Sequence, residues 1–345
     1  MANTEGYAAF GAESALRPFS FDRREVGPQD VQIRIEYCGV CHSDMHMAHN
    51  DWGRSVYPFV PGHEIIGRVT ALGDQVKDFS MGELVGVGCM VDSCRTCDAC
   101  QQHVEPFCPQ AVMTYSSTDP KHPDAVTQGG YSSHIVVDKD FVLHVSETLD
   151  TAAVAPLLCA GITMYSPLRH WQVGPGQTVG IIGLGGLGHM GVKLAKAMGA
   201  GVVMITSSEQ KAADAKELGA DAAIISTNEA DMASWQGQFD LLINTIPVAH
   251  DVNPYLGLLK IDKTMVIVGG TPIELHSMGL IFGRKRIAGS LIGGIKETQE
   301  MLDFCAEHQI VPLVEHIALE DINAAYERLA IGDVHYRFVI DMAKS

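Results

Sequence analysis

At 345 residues the chain exceeds the size at which one hydrophobic core usually keeps growing, so two domains are expected. Its 46% hydrophobic and 19% charged residues describe an ordinary folded protein rather than a disordered or fibrous one. With 24 basic side chains against 41 acidic ones the net charge is −17, which repels phosphate backbones and anionic membranes, so neither nucleic acid nor membrane is an expected partner.

Met1 to Phe10 lacks a basic region followed by an apolar one, and no apolar run reaches the ~18 residues that span a bilayer. A cytoplasmic, untargeted protein is expected. From Val31 to Tyr37 and from Ile65 to Leu72 the chain gives short β-branched runs separated by Gly, Pro and Asp, the texture of an antiparallel β domain with sites carried on loops. From about Gln177 the texture changes. An apolar strand, Thr178 to Ile182, leads through a Gly-rich turn into an amphipathic helix, Met190 to Met198, and then a strand, Val202 to Thr206. Further strands are expected at Leu241 to Asn244 and Met265 to Gly269, which together make the alternating pattern of a doubly wound parallel sheet. A helix near Glu297 to Glu307 and a last strand, Arg337 to Ile340, follow.

Nine cysteines in a long chain with no secretion signal read as metal ligands rather than disulfides, because four are crowded together as Cys94-x2-Cys97-x2-Cys100-x7-Cys108. Four thiolates at that spacing close a tetrahedral shell around one zinc ion and leave no position for substrate, which is a structural site. A second set is scattered: Cys41, then His63 with Glu64, then Cys159. Any one of these alone reads as a buried thiol or a satisfied histidine. Together, two thiolates and an imidazole make the shell that keeps one zinc position open, where the metal acts as a Lewis acid on an alcohol or carbonyl oxygen. Gly183-x-Gly185-Gly186-x-Gly188, after an apolar strand and opening a helix, is a dinucleotide-binding turn in its proper context.

These motifs, in this order, resemble the zinc-dependent medium-chain dehydrogenase/reductase superfamily, and most closely its cinnamyl-alcohol-dehydrogenase-type, NADP-dependent branch. Supporting stretches are Asn50 to Gly53, Tyr57-Pro58-x-Val60-Pro61-Gly62-His63-Glu64, Thr127 to Tyr131 and Tyr336 to Val339. The resemblance implies an α/β fold, a Rossmann domain at 156–292 inserted into a GroES-like β-barrel catalytic domain made of residues 1–155 and 293–345. It implies two zinc ions per chain, the catalytic one held by Cys41, His63 and Cys159 with Glu64 able to approach, and Asp44 orienting the histidine. It further implies a proton relay through Ser43, His46 and Asp51. His42 and Arg337 are expected at the cofactor pyrophosphate, Thr163 at the nicotinamide, Leu187 with the glycines in the turn, and Ser207, Ser208 and Lys211 at the 2′-phosphate of NADP(H). No acid stands at Thr206-Ser207-Ser208, where NAD enzymes usually place one. Trp52, Met113 and Leu291 match pocket-lining positions. Met113 replaces the aromatic ring usual in the plant enzymes, which weighs against large phenylpropenyl aldehydes. The activity implied is hydride transfer between NADP(H) and primary alcohols or aldehydes, aromatic and medium-chain aliphatic, by a homodimer. The competing expectations are a zinc- and nucleotide-binding protein that has lost turnover and a zinc-free quinone reductase, against both of which the full ligand set argues.

Overall fold

The computed structural model describes residues 2–344 and divides them into two compact units, one made of 2–159 with 293–344 and the other of 160–292. In the first unit, β-branched residues alternate along Asp30–Val40, so that Val31, Ile33 and Ile35 turn inward. This strand pairs antiparallel with Ile65–Leu72, with His134–Asp138 and with Arg337–Asp341; the last of these lies parallel to Val314–Ile317. Leu84–Val87 and Leu143–His144 extend the sheet beyond Ile65–Leu72 to seven strands. Two register shifts, at Gln32/Ile33 and Ile35/Tyr37, bend Asp30–Val40, and such bulges raise local twist and curvature. The core is fully buried at Ile33, Ile65, Ile66, Val85 and Phe338.

The second unit is a six-stranded, wholly parallel sheet. Its spatial order is Ala222–Ile225, Gly201–Thr206, Thr178–Ile182, Phe239–Asn244, Leu259–Ile267 and Arg286–Gly289. The chain therefore starts in the middle, winds outward one way and then the other, which is the Rossmann order with its switch point beside the first strand. Both sheet faces are covered, so the central strands are continuous apolar runs: Val179, Ile181, Ile182, Leu242 and Ile243 are all within 1% of full burial. The two architectures are the GroES-like and Rossmann folds that the resemblance implies. Among the described residues no single helix is long and apolar enough to cross a membrane.

Candidate active site and metal centres

One carboxylate ties two segments of the scattered ligand set together. Cys41 stands at the N-cap of the helix His42–Ala48, and its backbone N–H donates to Asp44 Oδ2 at 2.9 Å in a reciprocal capping box. The other oxygen of the fully buried Asp44 accepts from Gly62 N at 3.0 Å and from His63 Nδ1 at 2.8 Å. Cys159 ends a short 3-10 turn, Ala155–Leu158, and is likewise buried. One ligand atom from each of Cys41, His63, Glu64 and Cys159 lies within 4.8 Å of the rest. A hydrogen bond from Cys159 holds the Cys41 thiol well below its ordinary value in spite of burial, with His63 and Arg337 adding to the effect. A thiolate, an imidazole and a carboxylate in a dry pocket are a donor set for a divalent cation, and zinc suits it best.

Glu64 is placed by subtraction. A Cβ on Gly39 would fall 1.9 Å from Glu64 Oε2, so only glycine there leaves the carboxylate its space. Glu64 Oε1 accepts from Arg337 Nη2, whereas Oε2 is buried with no hydrogen-bond partner. Burial pushes the carboxyl up to about 7 against the pull of Arg337. The guanidinium of Arg337, expected at a pyrophosphate, is thus buried on the carboxylate beside the metal ligands.

The crowded cysteines form the second centre. Cys97 Sγ and Cys94 Sγ lie 3.6 and 3.9 Å from Cys100 Sγ, too far for disulfides and close to the ~3.8 Å edge of a tetrahedron with ~2.3 Å zinc–sulfur bonds. Cys108 completes the four within 4.8 Å. Backbone N–H groups of Thr96 and Cys97 stabilise the Cys94 thiolate and bring its pKa down to about 6. Arg95 ties the lobe to the barrel through Asp92, Asp138 and Asp140, at 2.9, 3.0 and 3.0 Å.

Near the open set, His46 Nδ1 and Asp51 Oδ2 are 2.7 Å apart, and Ser43 lies one helical turn before His46 on the same helix. Trp52 packs 5.4 Å from the His46 ring and is half exposed. Met113 is half-buried, and His42 is exposed. Two residues went unread in the sequence: Tyr131, whose hydroxyl reaches Asp44 Oδ2 at 3.4 Å, and Tyr115, whose hydroxyl lies 3.0 Å from His63 Nδ1. Tyr131 stands in the quoted Thr127 to Tyr131 stretch, but nothing in the spacing pointed to Tyr115.

In the second unit, the glycine turn has the shape of a phosphate cradle. Gly183 takes φ 91°, a Cβ on Gly188 would strike the Gly183 carbonyl at 2.0 Å, and a Cβ on Gly185 would meet nothing within 4 Å. The helix that follows, Gly188–Ala197, has no side-chain cap, and His189 N donates to Gly185 O at 3.1 Å, which draws the glycine turn onto the helix N-terminus. After the strand Gly201–Thr206, Ser208 caps the next helix by accepting from Lys211 N at 3.3 Å, while Ser207 and Lys211 are exposed. Thr163 is buried in the helix Ala160–His170, and Leu291 is exposed. A separate cavity, lined among others by Arg23, Lys121, Gln128 and Asp138, includes none of the expected site residues.

Comparison with known proteins bears directly on this geometry. Residues 27–147 match the alcohol dehydrogenase GroES-like domain, and residues 186–307 match the zinc-binding dehydrogenase domain. The chain belongs to the zinc-dependent medium-chain dehydrogenase/reductase family. It is 54% identical over 338 residues to an aldehyde reductase, YahK, of Escherichia coli, covering 96% of both chains. A cinnamyl alcohol dehydrogenase from Sorghum bicolor superposes with a TM-score of 0.97 at 45% identity, over 100% of this chain and 99% of that one. A cinnamyl alcohol dehydrogenase from Helicobacter pylori, solved with NADP(H), gives 0.94 at 43%, again over 100% and 99%. Among relatives of this type, the chain is a zinc-binding enzyme with the donor set of an alcohol dehydrogenase.

Proposed function

We propose that the protein is a zinc-dependent, NADP(H)-using aldehyde reductase and alcohol dehydrogenase for primary, aromatic and medium-chain aliphatic substrates. The observation that carries this reading is the convergence of Cys41, His63, Glu64 and Cys159 in one place, with His63 2.8 Å from an orienting aspartate and Cys41 capping the helix that carries His46, the partner of Asp51. Zinc, when bound there, polarises the substrate oxygen so that hydride transfer with the nicotinamide becomes feasible at neutral pH.

The remaining work falls to the chain. Asp44 fixes the tautomer of His63 by accepting from Nδ1, which leaves Nε2 free for the metal. Ser43, His46 and Asp51 move the proton between the substrate oxygen and water; the Asp51 carboxylate holds the His46 ring by Nδ1. Glu64, buried and held by Arg337, keeps a carboxylate beside the ligands without closing the shell. The turn at Gly183, Gly185, Gly186, Leu187 and Gly188 receives the pyrophosphate, with Thr163 at the nicotinamide. Ser207, Ser208 and Lys211 receive the 2′-phosphate; the Ser208 hydroxyl, which accepts from Lys211 N, still has its own hydrogen to donate. Trp52 and Met113 line the substrate pocket.

A homodimer is part of this reading. Ile261, Ile281 and Phe282 are 68%, 63% and 78% exposed, and Asp262 N donates to Gly283 O at 2.8 Å, so the apolar patch lies beside the outermost strand of the parallel sheet.

The test is kcat/KM with NADPH and NADH over benzaldehyde, cinnamaldehyde and aliphatic aldehydes, on the wild type and Ser207→Asp. The wild type should prefer NADPH clearly. The aspartate should weaken NADPH by like-charge repulsion and help NADH only in part, because rejecting one ligand builds no contacts to the other. Equal efficiency of the wild type with both cofactors would sink the NADP assignment.

A further inference from the structure

His63 Nε2 lies 3.9 Å from Glu64 Oε1, on the side of the ring that faces the other donor atoms. Nδ1 is therefore the face left to the protein, and two oxygens meet it: Asp44 Oδ1 at 2.8 Å and Tyr115 Oη at 3.0 Å. The phenol ring stands edge-on to the imidazole, with centroids 5.5 Å apart at 78°, and Phe59 braces it from a second direction at 5.1 Å and 80°. One acceptor alone leaves an imidazole free to swing about its hydrogen-bond axis. A second contact on the flank removes that freedom.

Tyr115 is itself held firmly. The preceding residue donates from Thr114 N to Cys89 O at 3.0 Å and from Thr114 Oγ1 to Gly88 O at 2.5 Å. Met113 N donates to Ser117 Oγ at 3.0 Å, and Met113 O accepts from Thr127 Oγ1 at 2.9 Å. A single braced segment thus carries both a half-buried candidate pocket residue, Met113, and a contact to a metal ligand.

We propose that Tyr115 is a positioning residue for the ligand His63: its hydroxyl acts with Asp44 to fix the imidazole, and it ties the orientation of that ligand to the 113–117 segment. The inference rests on the reading of Cys41, His63 and Cys159 as a metal site. Residues that hold a ligand histidine from behind are commonly worth 10–100-fold in metal affinity or activity. Tyr115 shares Nδ1 with a carboxylate, which sets its own share at the lower end, about 10-fold.

Tyr115→Phe keeps the ring and its packing on Phe59 and removes only the oxygen. Zinc content of the wild type is measured first, then zinc release to a chelator is timed in wild type and variant, with the four-cysteine site as internal reference. The cobalt-substituted forms of both are compared by visible absorption. Release from the His63 site is expected to quicken about 10-fold, at the low end of the range for such partners, with the four-cysteine phase unchanged. The cobalt bands should shift, and kcat should fall while the KM for aldehyde holds. Identical release and identical bands in the phenylalanine variant overturn the inference. So does damage confined to Tyr115→Leu, which would assign the role to the ring rather than the oxygen, or an equal quickening of both phases, which would mark general loosening. A wild type that binds zinc only at the four cysteines removes the functional reading and this inference together. A wild type with two zinc ions and an indifferent phenylalanine variant removes the inference alone.

Discussion

The two thiol clusters of the first unit are built in opposite ways. The four-cysteine lobe takes all its donors from one short stretch, 94–108, and its sulfurs are stabilised by nearby backbone N–H groups. The Cys41, His63, Glu64 and Cys159 set gathers distant segments and is surrounded by side chains that hold the donors in place: Asp44 on His63, Arg337 on Glu64 across 273 positions, Tyr115 behind the imidazole. A cluster made by local spacing can serve stability without precise placement. One made by tertiary structure is where binding energy can be turned to chemistry, because every donor is fixed by something else.

Removing a ligand from each cluster should separate these roles most widely. Cys159→Ala should lower kcat by about 10³-fold or more, since a Lewis acid contributes several kcal/mol of transition-state stabilisation, with the melting temperature little changed. Cys94→Ser should do the reverse, lowering the melting temperature while the folded fraction keeps its kcat. Zinc per chain, thermal denaturation and kcat measured together check both. One zinc per chain in carefully prepared wild type would break the comparison.

His46→Ala should come next, with kcat reduced by up to about 10²–10⁴-fold and zinc content unchanged, because its proposed role is to carry a proton rather than to bind metal. Water entering the vacated space would shrink the effect. The readout is the rate of a step shown to be limited by chemistry; no change there takes His46 out of the relay.

The smallest effect is expected in the ion-pair network that anchors the barrel near the lobe. Burial alone would push the carboxyls of Asp30 and Asp138 up. Hydrogen bonds from Arg24 and Lys121 to the first, and from Lys121 and Arg95 to the second, outweigh burial and hold both below the ordinary range. A depressed folded-state pKa means stabilisation that is complete above the unfolded value, about 3.9, and lost as pH falls through the folded values. Lys121 Nζ bridges the two at 2.8 and 2.6 Å. Lys121→Met should cost about 1–3 kcal/mol at neutral pH and flatten the loss of stability on acidification. Urea midpoints measured from pH 7 down to below about pH 4 read both effects; a midpoint unchanged at every pH would show the bridge to be idle.

The same contrast explains what could be read before the fold was seen. The closed site was legible because its information is local: Cys94, Cys97, Cys100 and Cys108 state their purpose by spacing. So was the glycine turn, where Gly183 and Gly188 have separate steric reasons, and the strand Thr178–Ile182, which is bounded by turn signals. The strands Ala222–Ile225 and Arg286–Gly289 were missed. The first is four residues, half of them alanine, and the second is a half-exposed outer strand without a continuous apolar run. The open site was legible as a set of donor types, but no spacing links Cys41 to Cys159, so the role of each ligand came with the resemblance. Tyr115 left no trace, and nothing marked Gly39, two residues before Cys41, as the space for a carboxylate. Their importance lies in distances to His63 and Glu64 that exist only once strands remote in sequence are paired.

A growing chain meets its partners in the order in which they are made. The strand Asp30–Val40 leaves the ribosome early, yet its neighbour in the finished sheet is Arg337–Asp341, and the bond from Leu16 N to Asn323 Oδ1 closes across 307 positions. At 5–20 residues per second the wait between the two strands is on the order of 15–60 s. The unit at 160–292 has all six of its strands well before then and can fold in the interval. Through that interval His134–Asp138 already covers Asp30 to Arg34, and only the Tyr37 to Val40 end of the strand stands open, a short template for pairing with another nascent copy. A surplus of acidic groups, −17 over the whole chain, gives neighbouring copies a reason to keep apart until the closing strand arrives.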